Sequence, residues 1–182
     1  MNKLYPIIFV ITALFFKVSW ADSKVLGSDV GVPQLGSFAT VLPKFVTQTV
    51  YPDGRGSPLG SGNAKLGGQI FNQKCISCHG QAGKGGSGGQ LTGTILPKEV
   101  WVKFPRPQKN IGQYWPYATT VFDYIRRSMP YQAPGSLSND EAYSLTAYLL
   151  AQQGLIKEDL ELNADSLVKV TMPNRDGFIR SY

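Results

Sequence analysis

The feature that most constrains this chain is one short run, Cys75-Ile76-Ser77-Cys78-His79. It holds both cysteines and the single histidine of the 182 residues. A structural zinc site of four Cys or His ligands cannot be built from three such residues. A thioredoxin-like redox pair also uses Cys-x-x-Cys, but in a βαβ context that this sequence lacks. A plain disulfide would leave the adjacent histidine without a role.

Cys-x-x-Cys-His is the attachment signature of c-type haem. Two thiols separated by two residues reach the two vinyl groups on one edge of a porphyrin, and the next residue, His79, falls beneath the iron. The covalent links hold one haem c even where a small protein cannot enclose it. With one histidine in the chain, a bis-histidine haem is excluded, and a methionine sulfur is the usual sixth ligand. Met129, followed by Pro130 and placed just before the last helical pattern, is the expected iron ligand beside His79. Met172, in a polar stretch near the C-terminus, is the alternative.

The rest of the chain is organised around that run. Lys3, an apolar stretch from Leu4 to Phe16, and Ser19-Trp20-Ala21 fit a secretory signal over residues 1–21. The stretch is short for a membrane span, which needs about 20 apolar residues, although an uncleaved N-terminal anchor remains open. Either way the chain is expected to be exported, and the reading is periplasmic. Residues 22–62 are rich in Gly, Pro and Ser and read as an extended arm, with a β-prone piece at Phe45–Tyr51. A helix with Asn63 as N-cap carries Leu66, Ile70 and Phe71 into the Cys75 run. A glycine-rich loop, Gly80–Gly93, follows. Residues 94–113 are read as irregular, since Pro97, Pro105 and Pro107 forbid a long helix.

A second helix is expected from Trp115, with Pro116 in its first turn and Ala118, Val121, Phe122 and Ile125 on its apolar stripe. A third has a capping box, Ser138-Asn139-Asp140-Glu141, a buried face of Ala142, Leu145, Tyr148 and Leu149, and a stop at Gly154. The compact unit is thus residues 63–154, nearly all helical, with a tail at 155–182. The formal charge of +6 includes no basic block, so nucleic acid is not expected as a partner and acidic protein surfaces are.

These residues resemble the class I cytochromes c. In that family a glycine and an aromatic residue before the first cysteine let the first helix cross the last. Gly67 and Phe71 match that pair, and Leu145 and Tyr148 match the facing one. The resemblance implies an all-α cytochrome c fold, here with an N-terminal arm and a C-terminal tail. One departure stands in the loop after the haem run. Where the family often has Gly-Pro-x-Leu-x-Gly, this chain has Gly88-Gly89-Gln90-Leu91-Thr92-Gly93. The carbonyl of Gly89 is left to orient the imidazole of His79.

Longer phrases are similar to the monohaem cytochrome subunits that accompany molybdenum sulfite dehydrogenases and the Sox sulfur-oxidation dehydrogenase. They are Tyr51-Pro-Asp-Gly-Arg-Gly, the stretch from Tyr114 to Tyr131, Ala133-Pro-Gly-Ser-Leu, and Met172-Pro-Asn-Arg-Asp-Gly-Phe. The resemblance implies one-electron transfer, with electrons accepted from a molybdenum dehydrogenase and passed to a cytochrome or oxidase. The chain is not expected to be catalytic alone. The arm and tail are expected to wrap a partner subunit. A free shuttle and an open-site ligand-binding haem are the alternatives.

Secondary roles are open at this level. Tyr114, Trp115 and Tyr117 line the haem edge or simply pack a helix start. Arg126 and Arg127 point about 100° apart on a helix, so at most one faces the haem, and a solvated surface is the default. Phe122, Tyr124 and Ile125 read as core. Lys74, Lys84 and Lys103 are candidates to ring the haem edge and steer an acidic partner.

Overall fold

The structure is a computed structural model and describes residues 49–101 and 110–178. The expected signal segment 1–21, most of the arm, and Lys103, Pro105 and Pro107 lie outside the described residues.

The core is two helices crossing at a glycine. Helix α1 (Ala64–Lys74) starts where Asn63 caps it, its side chain accepting from the Leu66 N–H at 2.9 Å. Ala64, Gly67, Ile70 and Phe71 are buried, a spacing that keeps them on one side. Leu66, expected on that face, is 42% exposed instead, because it points off the stripe that the other four define. After α1, a kink at Cys75 leads into α2 (Ile76–His79).

The two short helices α3 (Lys98–Trp101) and α4 (Ile111–Tyr114) flank the stretch 102–109, so the region read as irregular contains two single turns of helix. Helix α5 (Ala118–Ser128) begins after Pro116. The expected start at Trp115 is therefore too early: Trp115 and Tyr117 have extended backbones, and Pro116 sits between α4 and α5.

Helix α6 (Asn139–Ala151) is the centre of the molecule. Its capping box is formed as the sequence indicates, with the Ser138 side chain accepting from the Glu141 N–H and Glu141 accepting from the Ser138 N–H. Its burial is wider than one face. Tyr143, Ser144, Thr146, Ala147 and Leu150 are buried as well as Ala142, Leu145 and Leu149. Tyr143 stacks on Phe122 of α5 at 4.2 Å between ring centroids and donates to the Pro58 carbonyl at 3.0 Å.

Gly67 makes the α1–α6 crossing possible. A Cβ built there would lie 1.9 Å from the Ser144 carbonyl oxygen and 2.7 Å from the Tyr148 Cβ. Only the hydrogen of glycine fits where the backbones come this close. The rings of Phe71 and Tyr148 fill the space beside it, 5.2 Å apart and tilted at 42°.

The described parts of arm and tail pack on this same core. Strand β1 (Ser61–Gly62) pairs antiparallel with β2 (Leu162–Asn163), Gly62 opposite Leu162. Helix α7 (Ala164–Leu167) follows, capped by Asn163. Leu162, Leu167 and Met172 are all buried. The boundaries at 63 and 154 thus mark a change in sequence character and not an edge of packing. Val50 is buried too, and its N–H donates to Asp123 on α5 at 3.2 Å.

Asp123 also receives Arg127, and Arg126 lies 3.6 Å from its other oxygen. Arg126 is 2% exposed. The default reading of this arginine as solvated is corrected: its charge is taken inside because a buried carboxylate is there to meet it. Tyr124, read as core, is 46% exposed, since it falls on the solvent side of α5 between buried Asp123 and Ile125.

Candidate functional site

One cleft gathers most of the chemically notable residues. Its volume is about 410 Å³. Cys75, Cys78 and His79 line it from the α1–α2 junction, and Met129 lines it from the end of α5. The apolar walls are Phe71, Leu91, Ile125, Leu137, Leu145 and Leu149. Three of these, Phe71, Leu145 and Leu149, belong to the crossing helices, so the geometry set at Gly67 also sets the cleft.

The local folding of each residue is simple. The kink at Cys75 and the single turn α2 place the two cysteines and the histidine on one bank, with the His79 N–H bonded to the Cys75 carbonyl at 3.0 Å. Cys75 and Cys78 are not joined by a disulfide. Burial pushes the Cys75 thiol up to about 11. Met129 takes an extended backbone as the C-cap of α5, and that change of direction turns the chain along the opposite bank. A cis peptide bond joins it to Pro130.

His79 is held from behind. Its Nδ1 lies 3.0 Å from the Gly89 carbonyl oxygen. A carbonyl only accepts, so this contact places a proton on Nδ1, which in the neutral ring is the tautomer with its lone pair on Nε2 that a ligating imidazole needs. Gly88 makes room for the ring: a Cβ there would lie 2.8 Å from His79 Cε1 and 3.1 Å from Cys78 Cβ. The glycine-rich replacement of the family's Gly-Pro thus still delivers a carbonyl to the imidazole.

The donor set and the walls suit a haem. Among the described residues two thiols, an imidazole nitrogen and a thioether line one apolar cleft, and no carboxylate does.

The secondary candidates separate. Lys74 lines the cleft, but its Nζ is 2.6 Å from Glu141 Oε1. The same contact, with the Ser138 N–H, holds the Glu141 carboxyl below its usual range. Lys84 is exposed on the glycine-rich loop and is not a lining residue. Tyr114, Trp115 and Tyr117 do not line the cleft either. Tyr114 and Trp115 belong to an aromatic group in which Trp115 lies 5.5 Å from Tyr114 and 5.6 Å from Tyr124, and Phe178 lies 6.0 Å from Tyr114, while the Tyr117 ring lies under the Arg175 guanidinium at 5.9 Å. Asn174 ties the tail to this group by donating to the Tyr114 carbonyl at 2.8 Å. Met172, read as lying in a polar tail beyond the core, is 2% exposed and packed in the core. The tail folds back through β2, and its sulfur does not line the cleft.

Sequence reasoning missed Leu91, Leu137 and Tyr131 as lining residues. Leu137 had a signal, since it immediately precedes the N-cap Ser138, where an apolar residue commonly packs back on the first turn. Tyr131 had none, because a tyrosine in a Pro-rich loop has no period to reveal its direction.

Comparison with known proteins agrees with this geometry. Residues 62–149 match the family described as cytochrome C oxidase, cbb3-type, subunit III. A stretch of 92 residues, 50% of the chain, is 33% identical to a thiosulfate dehydrogenase of Stutzerimonas stutzeri (strain A1501) and spans 28% of that protein. A chain in the crystal structure of the sulfane dehydrogenase SoxCD from Paracoccus pantotrophus superposes with a TM-score of 0.68 at 39% identity. That match covers 74% of this chain and 65% of the other.

Proposed function

The chain carries a cytochrome c domain related to components of sulfur-compound dehydrogenases, and from that premise we propose that it is a periplasmic monohaem electron-transfer protein. In this reading Cys75 and Cys78 would hold a haem c through thioether links, and His79 and Met129 would ligate its iron. The observation that carries it is the meeting of those four side chains in one apolar cleft, with Nδ1 of His79 held by the Gly89 carbonyl.

A haem held this way supplies outer-sphere one-electron chemistry. The chain's residues do the rest. Gly89 fixes the imidazole tautomer. Met129, lining the cleft, would complete the iron's ligands and leave no position for substrate. Phe71, Leu91, Ile125, Leu145 and Leu149 exclude water, which together with a thioether ligand favours the reduced state.

The donor we propose is a molybdenum dehydrogenase acting on sulfite or a related sulfur compound, and the acceptor is another cytochrome or an oxidase. The relatives named for thiosulfate and sulfane oxidation support the sulfur connection. Described parts of arm and tail pack on this chain's own core, and we propose that their outer surfaces contact the partner subunit.

The test has two stages. The protein is made in a host with c-type maturation, and haem retention is read on a denaturing gel. Covalent haem in the native sequence and none in Cys75→Ser/Cys78→Ser is expected; a colourless native protein overturns the reading. The tagged holoprotein is then isolated from its native periplasm, and sulfite or thiosulfate is added while the haem absorbance is followed. Rapid reduction with a co-purifying molybdenum subunit is expected. A redox-active haem with neither partner nor reduction would leave a free carrier.

A further inference from the structure

Met129 stands where the chain has little else to hold it. None of residues 127–136, all of them described, is buried. The nearest buried residues along the chain are Arg126 before Met129 and Leu137 after it. The loop that follows is exposed from Tyr131 to Pro134. The place of the thioether is therefore decided from the helix side, where the Met129 N–H donates to the Ile125 carbonyl at 3.1 Å. That bond closes the last turn of α5, and the last turn is where a helix frays.

In this helix the last turn is pinned. Arg126 and Arg127 sit in it, and both reach back one turn to Asp123. The Arg126 guanidinium lies 3.6 Å from one carboxylate oxygen, and Arg127 donates to the other. The first oxygen also accepts from the Val50 N–H at 3.2 Å, so the carboxylate ties α5 to a segment 73 residues earlier. The Asp123 and Arg126 side chains are 6% and 2% exposed. At about 3.6 residues per turn these three side chains share one face of α5. Ile125, which lines the cleft, points from the other side.

We propose that Asp123 is a positioning residue for Met129: it braces the last turn of α5 from the side away from the cleft and so keeps the thioether on the cleft wall. The inference rests on the reading of Met129 as an iron ligand. For Met129 to leave the cleft by unwinding of that turn, Arg126 and Arg127 must part from a buried carboxylate. A buried charge stripped of its partner is costly, so the open state is rare.

Imidazole added to the ferric holoprotein can take the position of Met129 only when the thioether has left it. Its apparent affinity therefore reports how often the turn opens. Asp123→Asn should raise that affinity about tenfold or more, read by optical titration, and weaken the methionine-to-iron charge-transfer band. Arg127→Gln removes one of the two arms at a side chain 35% exposed, and should raise it about threefold. Amide exchange at Met129 should quicken in both variants in the same order, a readout that does not pass through the iron. Asn163→Ala is the control. It removes the cap of α7 and none of the partners of Asp123, and should leave imidazole affinity within about twofold of native. If Asp123→Asn does not fold, Arg127→Gln and exchange at Met129 decide the matter. Native affinity and native exchange in the folded variants overturn the proposal. An equal rise in Asn163→Ala overturns it too, since general loss of stability would then be the cause. A native protein without the charge-transfer band would remove Met129 from the ligand set and this proposal with it, a failure visible before any variant is made.

Discussion

The α1–α6 crossing and the cleft beside it share two helices and obey opposite packing rules. At the crossing, protein meets protein with no room for a methyl group: a Cβ on Gly67 would sit 1.9 Å from a backbone oxygen. In the cleft, the same helices stand off from the loop that carries Met129, and a volume of about 410 Å³ lies between apolar walls. The first arrangement spends close packing on fixing an angle. The second uses that angle to hold reactive side chains on facing banks. The lesson is that the site's geometry is decided one helical turn away from the site.

The same substitution made in both regions gives the sharpest test. Gly67→Ala forces backbone against backbone, which neither helix can relieve by a rotamer change. A loss of about 3 kcal/mol is expected, read by denaturant unfolding, and Gly67→Val should prevent folding. Gly88→Ala pushes instead on an imidazole edge 2.8 Å away. Its expected cost is about 1 kcal/mol, with the main effect on the visible spectrum and reduction potential as His79 shifts. If both variants lose stability equally with unchanged spectra, the contrast between the regions is wrong.

Met129→Ala acts on the cleft alone. The methionine-to-iron charge-transfer band should vanish, the ferric iron should become high-spin, and the potential should fall. Stability should drop by only about 1 kcal/mol, because the side chain is half-buried. An unchanged band would remove Met129 from the ligand set.

Ser138→Ala removes the capping box at the end of α6 that faces the cleft, and about 1 kcal/mol of stability should go with it. Glu141→Gln is the smallest change. The carboxyl is held below its ordinary value of 4.5, first by Lys74 and then by the Ser138 N–H. Stability from a lowered carboxylate is complete above the unfolded value and is lost as pH falls through the folded one. The native protein should therefore lose stability on acidification below about 4.5, and Glu141→Gln should lose less. The difference should stay under about 1 kcal/mol because the pair is partly exposed. Denaturant midpoints from neutral pH down to about pH 3 check it.

Much of the fold was legible because its signals are local. Asn63 and Ser138 announce helix starts through side-chain geometry that needs only the next three residues. Gly67, Phe71, Leu145 and Tyr148 were legible through family resemblance, and the structure brings them together. The cysteines and histidine were legible as a candidate site because they are adjacent in sequence. What failed was non-local. Arg126 looked solvated, although Asp123 stands three residues before it, because nothing in the sequence shows that this face of α5 is covered and that distant Val50 donates to the same carboxylate. Met172 looked peripheral because β2 and its pairing with β1 are invisible in a two-residue strand. Pro116 suggested a helix start three residues early because an isolated turn, α4, lies just before it.

By itself the sequence determined the elements and the chemistry available: capped helices, a glycine at the crossing, two thiols, one imidazole and a candidate thioether. Those follow from short-range sterics and from residue types. Only the tertiary structure decided which bank Met129 lies on, that Lys74 is neutralised by Glu141, and that the tail completes the core. Each of these joins residues far apart in sequence, and contacts of that kind are set by how the whole chain satisfies its buried surface and charge at once.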